Sequence, residues 1–396
     1  MKFGLSSLAV ILIWINQFFS QEINSVLLLF LIVFLIFNYM KIKLKSEFNL
    51  LFLFTFFLFI EGFLYSNNYE DLIRDSIYWF SPILILYIGY NINDNKNSIN
   101  LPKILVYLSF IDSLIFLTNF FVTSNIQTES FHEFRQQIGK ISFLSTFIGA
   151  VIVGLPKNQL SILLNTLKLK LVSNIGIIIF VCVIISQARF QFLSFIIIAL
   201  LCRTGKINFK FIKRFTLTFI SIIGIFFAVF SHTEIGNKLY NSTNELNIFS
   251  AQDIQSKSEA NEVWRAYEAF QGIQHYLSYD YLGRVFGTGL GSTAPLNESI
   301  KLKGYESTTL FLWHLAFITI IVKGGLVGLL IYISFFMKTL FQSLFKQKLN
   351  ILVGVSTLYL FLGFFTSQGW FAPKFYPIIL FLGYLFKRRY NEAQIS

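Results

Sequence analysis

Residues 48–60 read FNLLFLFTFFLFI, a run without a charged side chain. The whole chain shares this character, because 55% of its 396 residues are hydrophobic and only 13% are charged. A soluble domain carries roughly 25% charged residues, which it needs to cover its surface. This composition excludes a soluble enzyme, a disordered chain and a disulfide-stabilised scaffold, and it predicts an integral membrane protein.

About twelve apolar runs are long enough to cross a bilayer, which takes about 20 residues, or fewer where flanking side chains snorkel. They occupy residues 4–20, 23–40, 47–65, 76–91, 104–122, 141–156, 171–187, 190–202, 215–231, 325–341, 350–366 and 375–386. The sequence therefore predicts an all-α polytopic membrane protein in which residues 1–396 form one integral membrane domain.

Positive charge predicts the orientation of these runs. Lys and Arg number 32 against 20 Asp and Glu, which gives a formal net charge of +12. In a membrane protein such an excess indicates basic cytoplasmic loops rather than nucleic-acid binding. Basic residues are concentrated around 41–45, 203–214 and 387–389, which predicts that both termini lie in the cytoplasm. The two cysteines lie in apolar runs, so neither a structural disulfide nor a metal site is expected.

Residues 308–322 read TTLFLWHLAFITIIV and are also apolar enough to span a membrane. Two full spans here would place the basic segment 338–349 outside the cytoplasm, against the charge bias. We therefore predict a re-entrant or interfacial helix at 308–322, covered by protein on the outer side. The alternative is a thirteenth span that inverts the C-terminal half of the chain.

One long segment, residues 232–307, separates the spans and is predicted to be a large extracytoplasmic loop. Its part 259–279 has helical spacing, with Tyr267 and Phe270 on one face. Such a helix can lie in the membrane interface with its apolar face down. Gly283 is predicted to end it.

A few arginines belong to the segments predicted to lie outside: Arg74, Arg135, Arg189, Arg265 and Arg284. A local ion pair with the acids around it explains Arg74, and a solvated loop charge explains Arg284. Arg189 follows a tight turn and is either a snorkelling helix-end residue or an anion clamp, because its planar fork grips phosphate. Arg135 and Arg265 are each explained as solvated charges, but together with Arg189 they could share one diphosphate.

Two further features suggest chemistry on this side. The run Gly287-Thr-Gly289-Leu-Gly291-Ser292 is predicted to be a flexible turn, whose backbone N–H groups could meet an anion. His314 lies in an apolar run, where an imidazole needs a partner or a purpose. It is either a core histidine bonded to a backbone carbonyl or a general base near the outer face.

Two acids, Glu61 and Asp112, are predicted to lie inside the membrane. Such acids often mark ion or proton pathways. Two are few for a proton-coupled transporter, and either acid could instead pair with an Arg or cap a polar cluster.

Taken in chain order, these features resemble the O-antigen ligase and polysaccharide polymerase family of bacterial polytopic membrane proteins. The resemblance covers residues of about 130–340, and the first five spans match only in hydropathy. Its motifs are Phe134-Arg135-x-x-x-Gly139, Ser186-x-x-Arg189, Trp264-Arg265, Gly287-x-Gly289-x-Gly291, Trp313-His314-Leu315 and Gly324-Gly325-Leu326-Val327-Gly328-Leu329-Leu330. Two positions depart from the pattern: Leu315 replaces the usual Asn after the His, and Lys323 replaces the usual acid before the glycine pair.

The resemblance implies a metal-independent membrane glycosyltransferase that uses no cofactor and acts at the outer face of the bacterial cytoplasmic (inner) membrane. Its donor would be a glycan linked to undecaprenyl diphosphate, and its acceptor another glycan or a lipid. Arg189 and Arg265 would bind the diphosphate and stabilise the leaving group, assisted by Arg135 and by Gly289. His314 would orient or deprotonate the acceptor hydroxyl. Other polysaccharide assembly proteins are candidate partners within the bilayer.

The family contains two activities that differ in the acceptor. Polymerases join repeat units of O-antigen, capsule or exopolysaccharide, whereas ligases move a finished glycan to the lipid A core of lipopolysaccharide or to a protein. The missing His-Asn pair favours a polymerase. A flippase for lipid-linked oligosaccharides is a different class, which would be expected to show internal repeats. A non-catalytic assembly component predicts that Arg189, Arg265 and His314 can all be replaced by Ala without loss.

Overall fold

The helices of the computed structural model follow the apolar runs of the sequence. The structure describes residues 5–15, 46–65, 68–92, 100–124, 141–164, 167–186, 188–204, 264–302, 305–310, 315–345 and 351–395. Within these ranges the helices are α1 (Leu5–Ile15), α2 (Ser46–Tyr65), α3 (Tyr69–Asn91), α4 (Leu101–Ser124), α5 (Phe143–Gly154), α6 (Lys157–Leu164), α7 (Leu169–Ser186), α8 (Arg189–Thr204), α9 (Trp264–Ser278), α10 (Tyr281–Phe286), α11 (Ala316–Leu340), α12 (Ile351–Thr366) and α13 (Tyr376–Ile395). The predicted runs 23–40 and 215–231 lie outside the described residues. Each of the other predicted runs overlaps a helix. The total of twelve membrane spans stays a prediction.

Length and apolar composition qualify four helices of the described part as membrane spans: α3, α4, α7 and α11 together with the turn that follows it. Helices α2, α5, α8 and α12 are apolar but have shorter hydrophobic stretches. These helices are compatible with the predicted all-α membrane protein. The orientation of the termini stays a prediction.

Aromatic side chains fill the centre of the helix bundle. The fully buried Trp79 of α3 has its ring centroid 4.8 Å from that of Phe371 and 5.9 Å from that of Tyr332. Trp370 is also fully buried, 5.6 Å from Phe336 of α11. The segment between α12 and α13 therefore enters the core instead of lying on the surface.

A β-hairpin precedes α11 and includes the first residues of the segment 308–322, which the sequence predicts to be helical. Strand β1 (Ala294–Leu302) pairs antiparallel with β2 (Tyr305–Leu310), and the β-branched residues in Ser-Thr-Thr favour this extended backbone. Helix α11 begins at Ala316 and ends in a π-helical turn, Phe341–Phe345. The predicted helix start at 308 is therefore wrong, because the first residues of that run belong to the hairpin. The re-entrant character of 308–322 stays a prediction.

The predicted loop 232–307 contains ordered elements in the part that the structure describes. Helix α9 lies within the predicted 259–279, whereas residues 259–263 are outside the described ranges. The prediction that Gly283 ends this helix is wrong. Helix α9 ends at Ser278, and Gly283 lies inside α10 and donates its N–H to the capping carboxylate of Asp280 at 2.8 Å. An Asp side chain at this position starts a new helix.

Helices α3 and α13 cross where both carry a glycine. A Cβ atom at Gly89 would overlap the carbonyl oxygen of Leu380, and one at Gly383 would overlap that of Leu86. Small residues let the backbones of apolar helices approach closely, which strengthens their van der Waals packing.

We predict that Gly89→Leu or Gly383→Leu lowers the thermal unfolding temperature of the detergent-solubilised protein by several degrees. Backbone atoms occupy the space that the new side chain needs, so the two helices must separate. The control is Ile73→Ala on the same helix, because Ile73 is 61% exposed and should tolerate the change. Unchanged unfolding of both glycine variants would contradict the close crossing.

Candidate functional site

A buried ion pair joins α3 to α11. Lys323 Nζ contacts Asp75 Oδ2, and the two side chains are 0% and 1% exposed. Lys323 also donates to the carbonyl of Ser292 at 2.7 Å, and the N–H of Gly291 donates to Asp75 Oδ2 at 2.7 Å. Buried charges are tolerated when they are paired and hydrogen-bonded. One loop therefore supplies polar backbone groups to both members of the pair.

The glycine run 287–292 forms this loop, and its N–H groups bind inside the chain. Gly289 donates its N–H to the carbonyl of Lys323 at 3.0 Å, and Leu290 donates to the carbonyl of Leu58 at 3.1 Å. The expected flexible turn is thus a hydrogen-bonded loop, and it leads into β1 rather than into a helix. Because the Gly289 N–H already has a partner, the geometry does not favour its predicted contact with a diphosphate, which stays a prediction.

Helix α11 is interrupted where this loop meets it. Gly325 has a φ angle of +59°, which residues with a Cβ atom rarely adopt. A Cβ atom at Gly325 would overlap the end of α10, and one at Gly287 would overlap the carbonyl of Lys323. On the opposite side of the loop, a Cβ atom at Gly62 of α2 would overlap the carbonyl of Leu290. The loop is therefore in backbone contact with both α2 and α11.

The loop lies well below the ends of the helices around it. Leu58, which binds the loop, precedes the end of α2 at Tyr65 by about 10 Å at 1.5 Å per residue. Asp75 lies about 9 Å below the start of α3 at Tyr69 by the same measure. At this end of the helices, which the charge pattern predicts to face away from the cytoplasm, the loop therefore lies about 10 Å below the helix ends.

Helix α9 packs on the first turns of α11 and brings Arg265 there. The apolar cluster between them consists of Ala266, Tyr267, Ala269, Ala294, Leu296, Leu315, Ile318 and Val322. Arg265 is half-buried and precedes Ala266 in the sequence. His314 lies outside the described residues, but the next residue, Leu315, belongs to the cluster. The sequence neighbours of Arg265 and His314 therefore share one cluster.

The C-terminal end of α9 lies against the glycine run. The hydroxyl groups of Tyr279 and Thr288 are 3.4 Å apart. Burial raises the pKa of Tyr279 to about 12, although the hydrogen bond with Thr288 opposes the shift. The ring of His275 lies 4.9 Å from that of Tyr279, and burial lowers the pKa of His275 below its usual value. Burial therefore favours the neutral form of this histidine.

A second group of contacts surrounds the start of α8 at Arg189. The side-chain amide of Gln191 donates to the carbonyl of Ile141, just before α5. The ring of Phe190 lies 5.6 Å from that of Phe143, the first residue of α5. The starts of α5 and α8 are therefore adjacent.

Two contacts indicate that this group also lies below the ends of the neighbouring helices. Phe190 lies 5.6 Å from Tyr359, which precedes the end of α12 at Thr366 by about 10 Å. A contact between Cys182 Sγ of α7 and the carbonyl oxygen of Ser113 of α4, 3.8 Å apart, aligns these two helices. From this contact to its end at Ser124, α4 is about 10 Å longer than α7 is from the contact to its end at Ser186, so the end of α7 lies below that of α4. The start of α8 is thus about as deep as the glycine run.

The segment 367–375 connects the contacts around the starts of α5 and α8 with the start of α11. The N–H of Ala316 donates to the carbonyl of Ser367 at 3.0 Å. At the other end of the segment, the ring of Phe375 lies 4.6 Å from that of Phe143. We name two parts of this surface by their residues. The floor comprises 141–143, 188–191 and 373–375, and the rim comprises 264–267 and 315–318.

The two predicted membrane acids have different surroundings. Asp112 accepts a hydrogen bond from the hydroxyl of Ser145 at 2.7 Å, which agrees with the capping of a polar cluster. One carboxylate oxygen of Glu61 is buried and has no hydrogen-bond partner among the described residues. Arg74 forms the expected local ion pair, with Asp71.

The predicted site residues fall in two places. Arg265 lies at the rim, and Arg189 belongs by its backbone to the floor, while Arg135 and His314 lie outside the described residues. The Asp75–Lys323 pair was missed. A lysine in the middle of an apolar run was the available signal, because such a charge requires a buried partner.

No protein-family model matches this chain, and no curated protein matches it.

We predict that Asp75→Asn or Lys323→Met destabilises the protein by about 3–5 kcal/mol, because each change leaves one buried charge unpaired. The double variant Asp75→Leu/Lys323→Met should lose much less than the sum of the single losses. Thermal or denaturant unfolding in detergent measures both.

The matched control is Asp71→Asn, which breaks the more exposed pair with Arg74 one turn away. A pair of this kind contributes only about 0–1 kcal/mol. Equal effects of Asp71→Asn and Asp75→Asn would contradict the importance of the buried pair.

Proposed function

We propose that this protein transfers a glycan from undecaprenyl diphosphate to an acceptor sugar at the outer face of a bacterial cytoplasmic membrane, as a polysaccharide polymerase. One observation carries the proposal: described residues that neighbour the motif residues in sequence lie together at one end of the helices. At the rim, Ala266 and Leu315 share a cluster. At the floor, Gln191 binds Ile141, into which the Arg135 segment leads.

The two levels of this surface suit a lipid-linked donor. The floor lies about 10 Å below the end of α12, while the rim lies beside that end. A glycan on a lipid diphosphate has the same order, with the phosphates next to the lipid and the sugars beyond them. The diphosphate would bind towards Arg189, and the reacting sugar would lie towards Arg265 and His314.

The proposed reaction is a displacement at the anomeric carbon of the donor. The acceptor hydroxyl oxygen forms a bond to this carbon, and the bond from the carbon to the diphosphate oxygen breaks. His314 takes the proton of the hydroxyl. Arg189 and Arg265 stabilise the negative charge that develops on the leaving diphosphate, because a fixed cation in a water-poor recess interacts strongly with it.

Lys323 has a separate structural role in this proposal. Its ammonium group binds Asp75 and the carbonyl of Ser292, so the pair holds the glycine run against α11. Helix α9 contacts that run through Tyr279 and Thr288. The pair therefore supports the rim without contacting the donor.

We predict that Arg189→Ala and Arg265→Ala each lower the transfer rate by about 10²–10³-fold, the usual loss of one group that stabilises developing charge. His314→Ala should lower it by about 10²–10⁴-fold, the usual contribution of a general base. The assay uses the purified, inserted protein with a lipid-linked oligosaccharide and follows product length. The control is Arg284→Ala, because Arg284 is exposed and donates to the carbonyl of Leu277 at 2.5 Å.

The product separates the alternatives. In cells that carry each variant, chains that stay at one repeat unit indicate a lost polymerase, whereas long glycan retained on its lipid carrier indicates a lost ligase. Lipid-linked oligosaccharide that accumulates on the cytoplasmic side indicates a flippase. Full activity of all three variants would exclude the enzyme hypothesis.

We also predict that EDTA leaves the transfer rate unchanged, because arginine side chains neutralise the diphosphate in the proposed mechanism. The measurement is the initial rate with and without the chelator, followed by addition of Mg²⁺ or Mn²⁺. A rate that falls with EDTA and returns with a metal ion would contradict this mechanism.

A further inference from the structure

Lys374 is a cation of the floor that none of the motifs includes. It lies in the 3₁₀ turn Pro373–Phe375 between α12 and α13. Its Nζ atom lies 4.6 Å from the ring centroid of Phe143 and 5.9 Å from that of Phe375. The rings attract the ammonium group by cation–π interaction. An aromatic ring takes no proton from it, so the contact positions the charge without removing it.

The ring beneath Lys374 also connects it to Arg189. Phe143 packs against Phe190 with 5.6 Å between centroids, and Phe190 directly follows Arg189. Consecutive Cα atoms are about 3.8 Å apart, so the backbone of Arg189 lies beside this aromatic group. Two cationic residues therefore start from neighbouring positions of the floor.

The depth of the floor makes this proximity significant. Phe375, next to Lys374, has its ring 5.9 Å from that of Tyr359, about 10 Å below the end of α12. A cation attracts an anion more strongly there than in water, because the surrounding dielectric constant is lower.

We propose that Lys374 binds the diphosphate of the donor together with Arg189. The inference rests on the proposed function for the identity of the anion. Arginine grips one phosphate with its planar fork, and lysine meets the second as a compact point charge. Two cations with different geometry favour a diphosphate over a monophosphate. Lys374 is thus a specificity residue for the lipid carrier.

The test measures binding of undecaprenyl diphosphate and undecaprenyl monophosphate to the purified protein in detergent. Lys374→Met should raise the Kd for the diphosphate by about 10- to 100-fold, the effect of one charged hydrogen bond. The Kd for the monophosphate should change much less. Lys374→Arg should retain the preference for the diphosphate, and Phe143→Leu should weaken it, because the ring that positions the ammonium group is lost.

The matched control is Lys387→Met. Lys387 lies in the second half of α13, about 16 Å along the helix from its start. It donates to the carbonyl of Ile92 at 3.1 Å, and its loss should leave both Kd values unchanged. Thermal unfolding of each variant shows that the fold is retained. Because a merely structural lysine would alter both lipids equally, the ratio of the two Kd values is the decisive quantity.

Failure of this inference and failure of the proposed function have different signatures. Normal diphosphate preference in Lys374→Met, with sugar transfer by the wild-type protein, overturns the role of Lys374 and leaves the proposed function intact. Diphosphate preference that depends on Lys374, in a protein that transfers no sugar, overturns the proposed function and supports the binding role. Equal affinity of the wild-type protein for both lipids overturns the inference outright.

Discussion

The Asp75–Lys323 ion pair places two opposite charges in the apolar interior, and the neighbouring backbone is arranged to satisfy them. Removing such groups from water is costly unless further hydrogen bonds accompany the pairing. The N–H of Gly291 and the carbonyl of Ser292 supply these bonds. To bring these groups to this depth, the loop passes between α2 and an interrupted α11. That path is open because Gly62 has no side chain where α2 faces the loop.

The position of the loop in turn determines the elements that it connects. Helix α10 ends at the break in α11, and the end of α9 meets the loop through Tyr279 and Thr288. From there α9 extends along the first half of α11 to Arg265. The rim therefore depends on the buried pair through a series of direct contacts. The floor belongs to other helices and depends instead on aromatic packing around Phe143.

The helices could be predicted from sequence because each is a local apolar run, as residues 48–60 illustrate. The pairing of Asp75 with Lys323 could not, because 248 positions separate them and nothing in a single sequence connects the two. The acids around Arg74 predict a local ion pair, which Asp71 forms, but they give no indication of the distant partner of Asp75. Lys374 was overlooked for the same reason, since its relation to Arg189 exists only through packed rings.

The two departures from the family pattern have different physical consequences. A buried ion pair needs one acid and one base, and either helix can carry either charge. Lys323 stands where the pattern has an acid, and here Asp75 on the other helix supplies the acid. Leu315 is only 7% exposed within the rim cluster, where an amide would need a hydrogen-bond partner that apolar side chains cannot provide. The rim of this chain thus lacks the polar group that the pattern places beside the histidine. Since the rim is the proposed acceptor side, the choice of acceptor is the property that this substitution would change in the proposed mechanism.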